Sequence, residues 1–256
     1  LVYSLESMKQ RKELGQHWLR DREILTSIAA CAGEGEFALE IGPGLGTLTS
    51  ALLKRFRRVV AVEYDGKLAE KLPKQFVGSG LTVVNEDILQ FDTAGLPEGY
   101  VVVGNVPYYI TAPIVQKFLQ AKNRPSRMVF LVQKEVAERI AGVGGWSLLG
   151  LSVAAYADAT LGPYVGREHF EPPPKVDSQV IIMEMLAENR LEGLDEERFW
   201  RLLRAGFKWP RKKLVNNLSG VGVTAETLRE MGLNESVRAG ELDLEAWKEL
   251  YNKIKR

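Results

Sequence analysis

The segment Gly104-Asn105-Val106-Pro107-Tyr108-Tyr109 gathers residue types that could hold a flat ring bearing an amine. Asn105 carries a donor and an acceptor on one amide. Pro107 has no N–H, and its carbonyl is available as an acceptor. The tyrosine rings offer faces for stacking. Together these groups could grip an aromatic amine such as adenine. A strand running into a Pro-Tyr turn would explain the same residues without any chemistry, so the rest of the chain must decide.

The elements that would position this segment read as an open α/β sheet. Tyr100-Val101-Val102-Val103 is an apolar, β-branched run of the kind that forms a buried strand. Phe37 to Ile41 reads as the first strand, and Gly42-Pro43-Gly44-Leu45-Gly46 turns it into a helix opening at Thr47. Strand, glycine turn and helix in that order suit close approach by a ligand. The spacing is neither the full dinucleotide fingerprint nor a Walker A loop, and plain α/β proteins also use glycine turns. Val59 to Glu63 is the second strand, followed by Tyr64 and by Asp65 as a helix cap. Leu81 to Val84 is the third, with Asp87 and Ile88 beyond it. Gly42, Gly44, Glu63, Asp87 and Asn105 therefore all fall at C-terminal ends of strands, where open parallel sheets bind ligands.

That shared placement points to a nucleoside. Glu63 could accept hydrogen bonds from both ribose hydroxyls. Asp87 could receive an exocyclic amine while Ile88 packs on the face of a base. An acid at each of two strand ends suits one adenosine moiety, and S-adenosylmethionine satisfies that description. The exocyclic amine of an acceptor adenine could then donate to the Asn105 side-chain oxygen and the Pro107 carbonyl, with Tyr108 stacked on the ring. Those acceptors favour the positive charge that develops on nitrogen and orient it for methyl transfer.

The flanks are less decisive. Lys9, Arg11 and Lys12 could meet phosphates or form a solvated edge. Gln16, His17 and Trp18 could cover a ligand, while a lone histidine is no sign of a metal. Asp21 caps the helix that follows. Arg127 to Val132 reads as a fifth strand, residues 147–158 as an apolar helix, and Gln179 to Met185 as a last strand. Phe170-Glu171-Pro172-Pro173-Pro174 is a stiff segment that either presents Phe170 to the pocket or joins two strands. From Asp195 the pattern is helical, with a basic cluster at Lys208, Arg211, Lys212 and Lys213 suited to phosphates or to a solvated helix end. Thr224 and Asn234 are expected helix caps.

Composition sets outer bounds. The chain has 256 residues, 45% hydrophobic and 26% charged, with a formal net charge of +1. That is the balance of a globular protein with a sizeable core, and any nucleic-acid contact must come from local patches. One cysteine, Cys31, excludes an internal disulfide and fits a reducing compartment. Two histidines distant from it make a structural zinc site unexpected, so no metal is assigned. No apolar run spans a membrane, and no apolar secretory core is expected at the start.

With these residues in view, the chain resembles the small-subunit ribosomal RNA adenine N6,N6-dimethyltransferase family (KsgA-like) along nearly its whole length. Leu14 to Leu19 is similar to the family's Gly-Gln-Asn-Phe-Leu cofactor-covering segment, which implies cofactor contacts at Gln16, His17 and Leu19. Glu40 to Gly46 resembles its glycine motif, Glu63 with Tyr64 its ribose-binding end, and Asp87-Ile88 its adenine contacts. Asn105-Val106-Pro107-Tyr108 resembles its Asn-Leu-Pro-Tyr catalytic motif. Gln133 to Ala137 and Phe170 to Ser178 resemble two further segments, with Phe170 implied as the aromatic partner of Tyr108. Phe207 through Leu218 resembles the C-terminal helical motif.

The resemblance implies a Rossmann-like class I methyltransferase domain over 1–186, with a mostly parallel sheet, and a small helical RNA- and ribosome-docking domain over 187–256. It also implies transfer of two methyl groups to each of two adjacent adenosines in a hairpin loop near the 3′ end of small-subunit rRNA. The implied substrate is a late pre-ribosomal particle, and the enzyme is expected to be a cytoplasmic or organellar monomer. Departures are His17 for asparagine, Val106 for leucine, and a shortened Gly142–Gly150 region without a basic residue before Leu151. A macrolide-resistance type enzyme acting on large-subunit rRNA is the nearest rival. A mitochondrial transcription factor and an assembly factor without chemistry are further ones, and a dinucleotide oxidoreductase fits less well.

Overall fold

The computed structural model describes residues 17–254. Gln16, Lys9, Arg11 and Lys12 lie outside the described residues. A seven-stranded sheet forms the centre. Its parallel part comprises β2 (Gly35–Ile41), β3 (Phe56–Glu63), β4 (Leu81–Asn85), β5 (Val101–Asn105) and β6 (Arg127–Gln133). β9 (Ser178–Met185) and β7 (Ala157–Val165) extend it antiparallel, giving the order β4-β3-β2-β5-β6-β9-β7. A separate two-stranded ribbon joins β1 (Trp18–Leu19) to β8 (Phe170–Glu171). The chain winds outward from β2 to one edge and returns through β5 to the other, so the strand order reverses between β2 and β5. That reversal opens a crevice at the C-terminal ends of the strands.

Helices cover both faces, which is why the strands read as continuous apolar runs. One face packs Leu39, Val102, Met128 and Phe130 against Ile114 and Phe118 of α4 (Thr111–Gln120). The other packs Ala38, Val59, Val103 and Val129 against α1 (Arg22–Cys31) and α2 (Thr47–Leu52). Residues adjacent in sequence, such as Val102 and Val103, go to opposite faces, as the strand period requires. Asp21 caps α1 by accepting from the N–H groups of Glu23 and Ile24 at 3.0 and 3.2 Å, a cap worth about 1 kcal/mol. Asp65 caps α3 (Gly66–Gln75) through the Lys67 N–H at 2.9 Å.

β7 departs from the sequence reading, which ends an apolar helix at 158. α6 (Leu148–Tyr156) stops earlier and the chain enters β7 directly. Gly162 and Pro163 hide this strand, since neither favours a ladder. The structure accepts them because β7 is an edge strand with a register shift between Leu161 and Tyr164.

The sheet domain continues through α5 (Lys134–Ile140) into α6, whose Leu151 and Ala155 join a second apolar cluster. That cluster is built by α7 (Glu196–Gly206), α8 (Leu214–Leu218), α9 (Ala225–Glu230) and α10 (Leu244–Ile254), around the fully buried Trp247. Thr224 caps α9, whereas Asn234 forms a local turn to the Ser236 N–H rather than capping a helix. Among the described residues no helix is long and apolar enough to cross a membrane, and no group of three or more metal-ligating side chains occurs.

A carboxyl group lies inside this core. Glu40 is 1% exposed, and neither carboxyl oxygen has a hydrogen-bond partner. Burial pushes its pKa up to about 8; Thr49 opposes this but forms no well-aligned hydrogen bond, and Glu63 adds to it. The native carboxyl thus keeps its proton up to about pH 8, while the unfolded chain releases it around the ordinary value of 4.5. Between those limits the native state holds more protons, so burying Glu40 costs more as pH rises. Glu40→Gln should therefore stabilise the protein at about pH 9 by on the order of a few kcal/mol, with the gain fading toward about pH 4. Denaturant titrations across that range check this, and a gain independent of pH would contradict it.

Candidate active site

The crevice at the strand-order reversal is a cavity of about 360 Å³. It gathers His17, Gly42, Gly44, Glu63, Tyr64, Asp87, Ile88, Asn105, Pro107 and Tyr108, ten of the residues singled out in the sequence. Parallel register does the gathering. Ile41 lies opposite both Val62 and Gly104, and Glu63 lies opposite Asn85, so the strand ends finish level. Gly104 is needed for this, because a Cβ there would come within 3.0 Å of the Ile41 carbonyl oxygen.

Glu63 ties the floor of the cavity together. It is 6% exposed; one carboxylate oxygen accepts from the Gly44 N–H at 3.0 Å and the other from the Asp65 N–H at 2.8 Å. Burial raises its pKa, and the two N–H donors work against that rise. A carboxylate has about four acceptor positions, so two remain for the hydroxyls of a ribose. Gly42 has φ of +63°, and a Cβ added there would meet no atom within 4 Å. A side chain at Gly42 would thus fill cavity space. The indole of Trp18 lies over Gly44, 3.7 Å from where its Cβ would stand. The Asp87 carboxylate accepts from the Leu89 N–H at 2.9 Å, and Ile88 supplies a buried apolar wall. These residues fit a nucleoside.

The Asn105 side of the cavity is held from above. Its amide nitrogen donates to the His17 carbonyl at 3.1 Å, which leaves the amide oxygen for a donor in the cavity. The Pro107 carbonyl accepts from the Ile110 N–H at 3.1 Å and, in a long contact of 3.5 Å, from the Thr111 hydroxyl. The Tyr108 hydroxyl shares a 2.7 Å hydrogen bond with the buried Ser178, and burial raises its pKa, so the phenol stays neutral.

Two expected residues lie elsewhere. Leu19 and Phe170 face each other in the β1–β8 ribbon, each 3% exposed, inside the apolar cluster beneath α1. Neither lines the cavity. The physical reason is strand alternation: Trp18 and Leu19 face opposite sides, and Trp18 takes the cavity side. The ring beside Tyr108 is instead His17, nearly parallel at 20° with centroids 6.2 Å apart. Lys208, Arg211, Lys212 and Lys213 are exposed in the turn between α7 and α8 and do not line the cavity. Trp18, which the sequence suggests as a ligand cover, lines the cavity, and so does Tyr109, whose ring face the sequence offers for stacking and which is 64% exposed. Their aromatic character beside glycine and proline motifs is the signal that marks them.

An open sheet reversing at β2/β5, with a nucleoside-sized cavity at the reversal and an Asn-Val-Pro-Tyr group at its rim, defines a class I methyltransferase. The solved structure of the 23S rRNA methyltransferase ErmE is similar, with a TM-score of 0.78 and 29% identity over 93% of this chain and all of that one. A dimethyladenosine transferase from Plasmodium falciparum shares the fold, with a TM-score of 0.76 and 24% identity over 93% of this chain and 98% of that one. The ribosomal RNA small subunit methyltransferase A of Dehalococcoides mccartyi (strain CBDB1) is 40% identical over 256 residues, 95% of this chain and 88% of the relative. The family described as ribosomal RNA adenine dimethylase matches residues 7–256, and the chain belongs to it. It is an S-adenosylmethionine-dependent rRNA adenine dimethyltransferase.

Glu63→Gln would turn an amide N–H₂ toward one of the two backbone donors and remove acceptor positions. Each hydrogen bond to a charged group contributes about 1.5–3 kcal/mol. Cofactor affinity measured by calorimetry should therefore fall about 10- to 100-fold, and affinity within about twofold of wild type would remove Glu63 from the site.

Proposed function

We propose that the cavity holds S-adenosylmethionine on its Gly42, Gly44, Glu63, Tyr64, Asp87 and Ile88 side and the acceptor adenine on its Asn105, Pro107 and Tyr108 side. When bound, the cofactor supplies an electrophilic methyl group. The single observation that carries this reading is the Asn105–His17 hydrogen bond, which fixes the amide with its oxygen available to an exocyclic amine. The Asn105 side-chain oxygen accepts a hydrogen bond from one N6–H and the Pro107 carbonyl from the other, in place of its long contact with the Thr111 hydroxyl, and both stabilise positive charge growing on that nitrogen. Tyr108, pinned by Ser178, holds the ring by stacking. No strong general base is needed, since nitrogen becomes acidic as it gains the methyl group. An adenosine in a folded RNA must leave its stack to enter.

The acceptors in this reading are two adjacent adenosines in a hairpin loop near the 3′ end of small-subunit rRNA, within a pre-ribosomal particle. The names of the similar relatives favour the small subunit. The likeness to a 23S rRNA enzyme keeps the large subunit as the second reading. The chain divides at 186/187 into a catalytic and a docking part and acts as a monomer, in the cytoplasm or in an organelle with its own ribosomes.

Docking runs through the turn between α7 and α8. Lys208, Arg211, Lys212 and Lys213 are exposed there and form no ion pair among the described residues. Trp209 is 56% exposed with the Lys212 ammonium 5.7 Å from its ring centre. Asn217 pins the turn by donating to the carbonyls of Gly206 at 2.6 Å and Trp209 at 3.1 Å. Fixed cations with an exposed indole suit phosphates and an unpaired base.

Asn105→Ala should abolish most methyl transfer from labelled cofactor to unmethylated rRNA while the thermal transition persists; near wild-type turnover would remove its role. Replacing Arg211, Lys212 and Lys213 together with alanine should weaken particle binding and flatten its salt dependence while cofactor affinity holds. Unchanged binding across a salt titration would reject this patch.

A further inference from the structure

We propose that Tyr109 is a stacking platform for the nucleotide next to the target adenosine, outside the pocket that takes the target itself. The inference rests on the acceptor-site reading above. Three observations carry it. Among the described residues, Tyr64 and Tyr109 are the only large hydrophobic side chains that line the cavity and stay mostly in water, each 64% exposed. Tyr64 follows Glu63 on the cofactor side, which leaves Tyr109 at the acceptor side. Tyr108 and Tyr109 also share one turn of 3-10 helix, Tyr108–Ile110, in which successive side chains diverge by about 120°. The Tyr108 hydroxyl turns in to the buried Ser178, 2.7 Å away, and Ile110 packs on the apolar core. Tyr109 turns out, and its side chain makes no hydrogen bond or ring contact among the described residues. Finally, the acceptors are two adjacent adenosines, whereas the chain carries a single Asn-Val-Pro-Tyr group.

One acceptor group serves two adenosines only in turn. While one occupies the cavity, its neighbour waits one nucleotide away on the same strand. Taking a base out of its stack also strips a stacking partner from the bases beside it. An aromatic face at the mouth replaces that lost partner, as aromatic side chains do for unstacked bases in single-stranded RNA. Tyr109 stands where this is needed, because its Cα is about 3.8 Å from that of Tyr108 and its ring points to the solvent side. Every base has a π-face, so the platform registers that a neighbouring base is present rather than which base it is. It lies on one flank of the target only. For one of the two acceptors the stacked neighbour is therefore the other acceptor, and for the second it is the nucleotide beyond the pair.

The test substitutes protein and RNA together. Small-subunit particles are reconstituted with unmethylated rRNA that is intact, or abasic at one acceptor position or the other, and methyl transfer from labelled cofactor is followed. On intact rRNA, Tyr109→Ala should lower kcat/KM about 10-fold, the size of one base stacking on a ring, and Tyr109→Trp should restore most of it. Cofactor affinity by calorimetry should stay within about twofold in both. With one of the two abasic particles, wild type should fall about 10-fold, whereas Tyr109→Ala should fall no more than about twofold further, since its platform is already gone. Equal falls for wild type and Tyr109→Ala with both abasic particles would overturn the proposal. So would wild-type kcat/KM in Tyr109→Ala on intact rRNA, or a loss confined to cofactor affinity. The acceptor-site reading stands or falls separately on Asn105→Ala, because the Tyr109 comparison is made with Asn105 intact.

Discussion

Parallel register between β2, β3 and β5 is the constraint on which the site depends. The side-chain period along a strand is two, so a one-residue slip of β5 would carry Asn105 to the opposite face and bury its amide. The apolar residues beneath prevent that slip. Val102 and Val103 are each fully buried, on opposite faces, against different helices. Either shifted register would exchange those environments. The polar groups at the strand ends are thus positioned by largely apolar packing, in which Glu40 is the most deeply buried acid among the described residues. That residue is tolerated because it keeps its proton at neutral pH, so no charge is left in the core.

A second layer of order comes from the strap at the start of the described chain. Paired residues Trp18 and Leu19 join Glu171 and Phe170, and Arg20 meets Glu171 at 3.0 Å. The Thr47 hydroxyl donates to the Leu19 carbonyl at 3.1 Å, tying the strap to the helix after the glycine turn. Trp18 covers Gly44, and His17 reaches Asn105. The Gly44 side and the Asn105 side of the cavity are therefore roofed by neighbouring positions of one segment. The exposed ion pair adds little by itself; the buried Leu19–Phe170 contact supplies most of the anchoring.

Much of this was legible in the chain because each parallel strand is a short apolar run that ends in glycine, an acid or an amide. Glu63 and Asn105 could be placed at strand ends from that pattern alone. β7 was not legible, since Gly162 and Pro163 break its alternation and only an edge position with a bulge accommodates them. The β1–β8 ribbon was not legible either. Two-residue strands far apart in sequence carry no periodic signal, and their pairing is what sends Leu19 and Phe170 into the core. The motif around Phe170 identified a segment correctly as special, but the burial of one ring is a tertiary fact. The proximity of His17 to Tyr108 follows from the same pairing and was equally hidden.

The central claim is that this cavity dimethylates adenine N6 in small-subunit rRNA. It is tested most directly by incubating the protein and S-adenosylmethionine with unmethylated small- and large-subunit particles, then mapping the modified nucleotides by mass spectrometry. The account predicts N6,N6-dimethyladenosine at two adjacent positions near the 3′ end of the small-subunit rRNA and none in the large subunit. Modification confined to large-subunit rRNA, or absent from both, would contradict it.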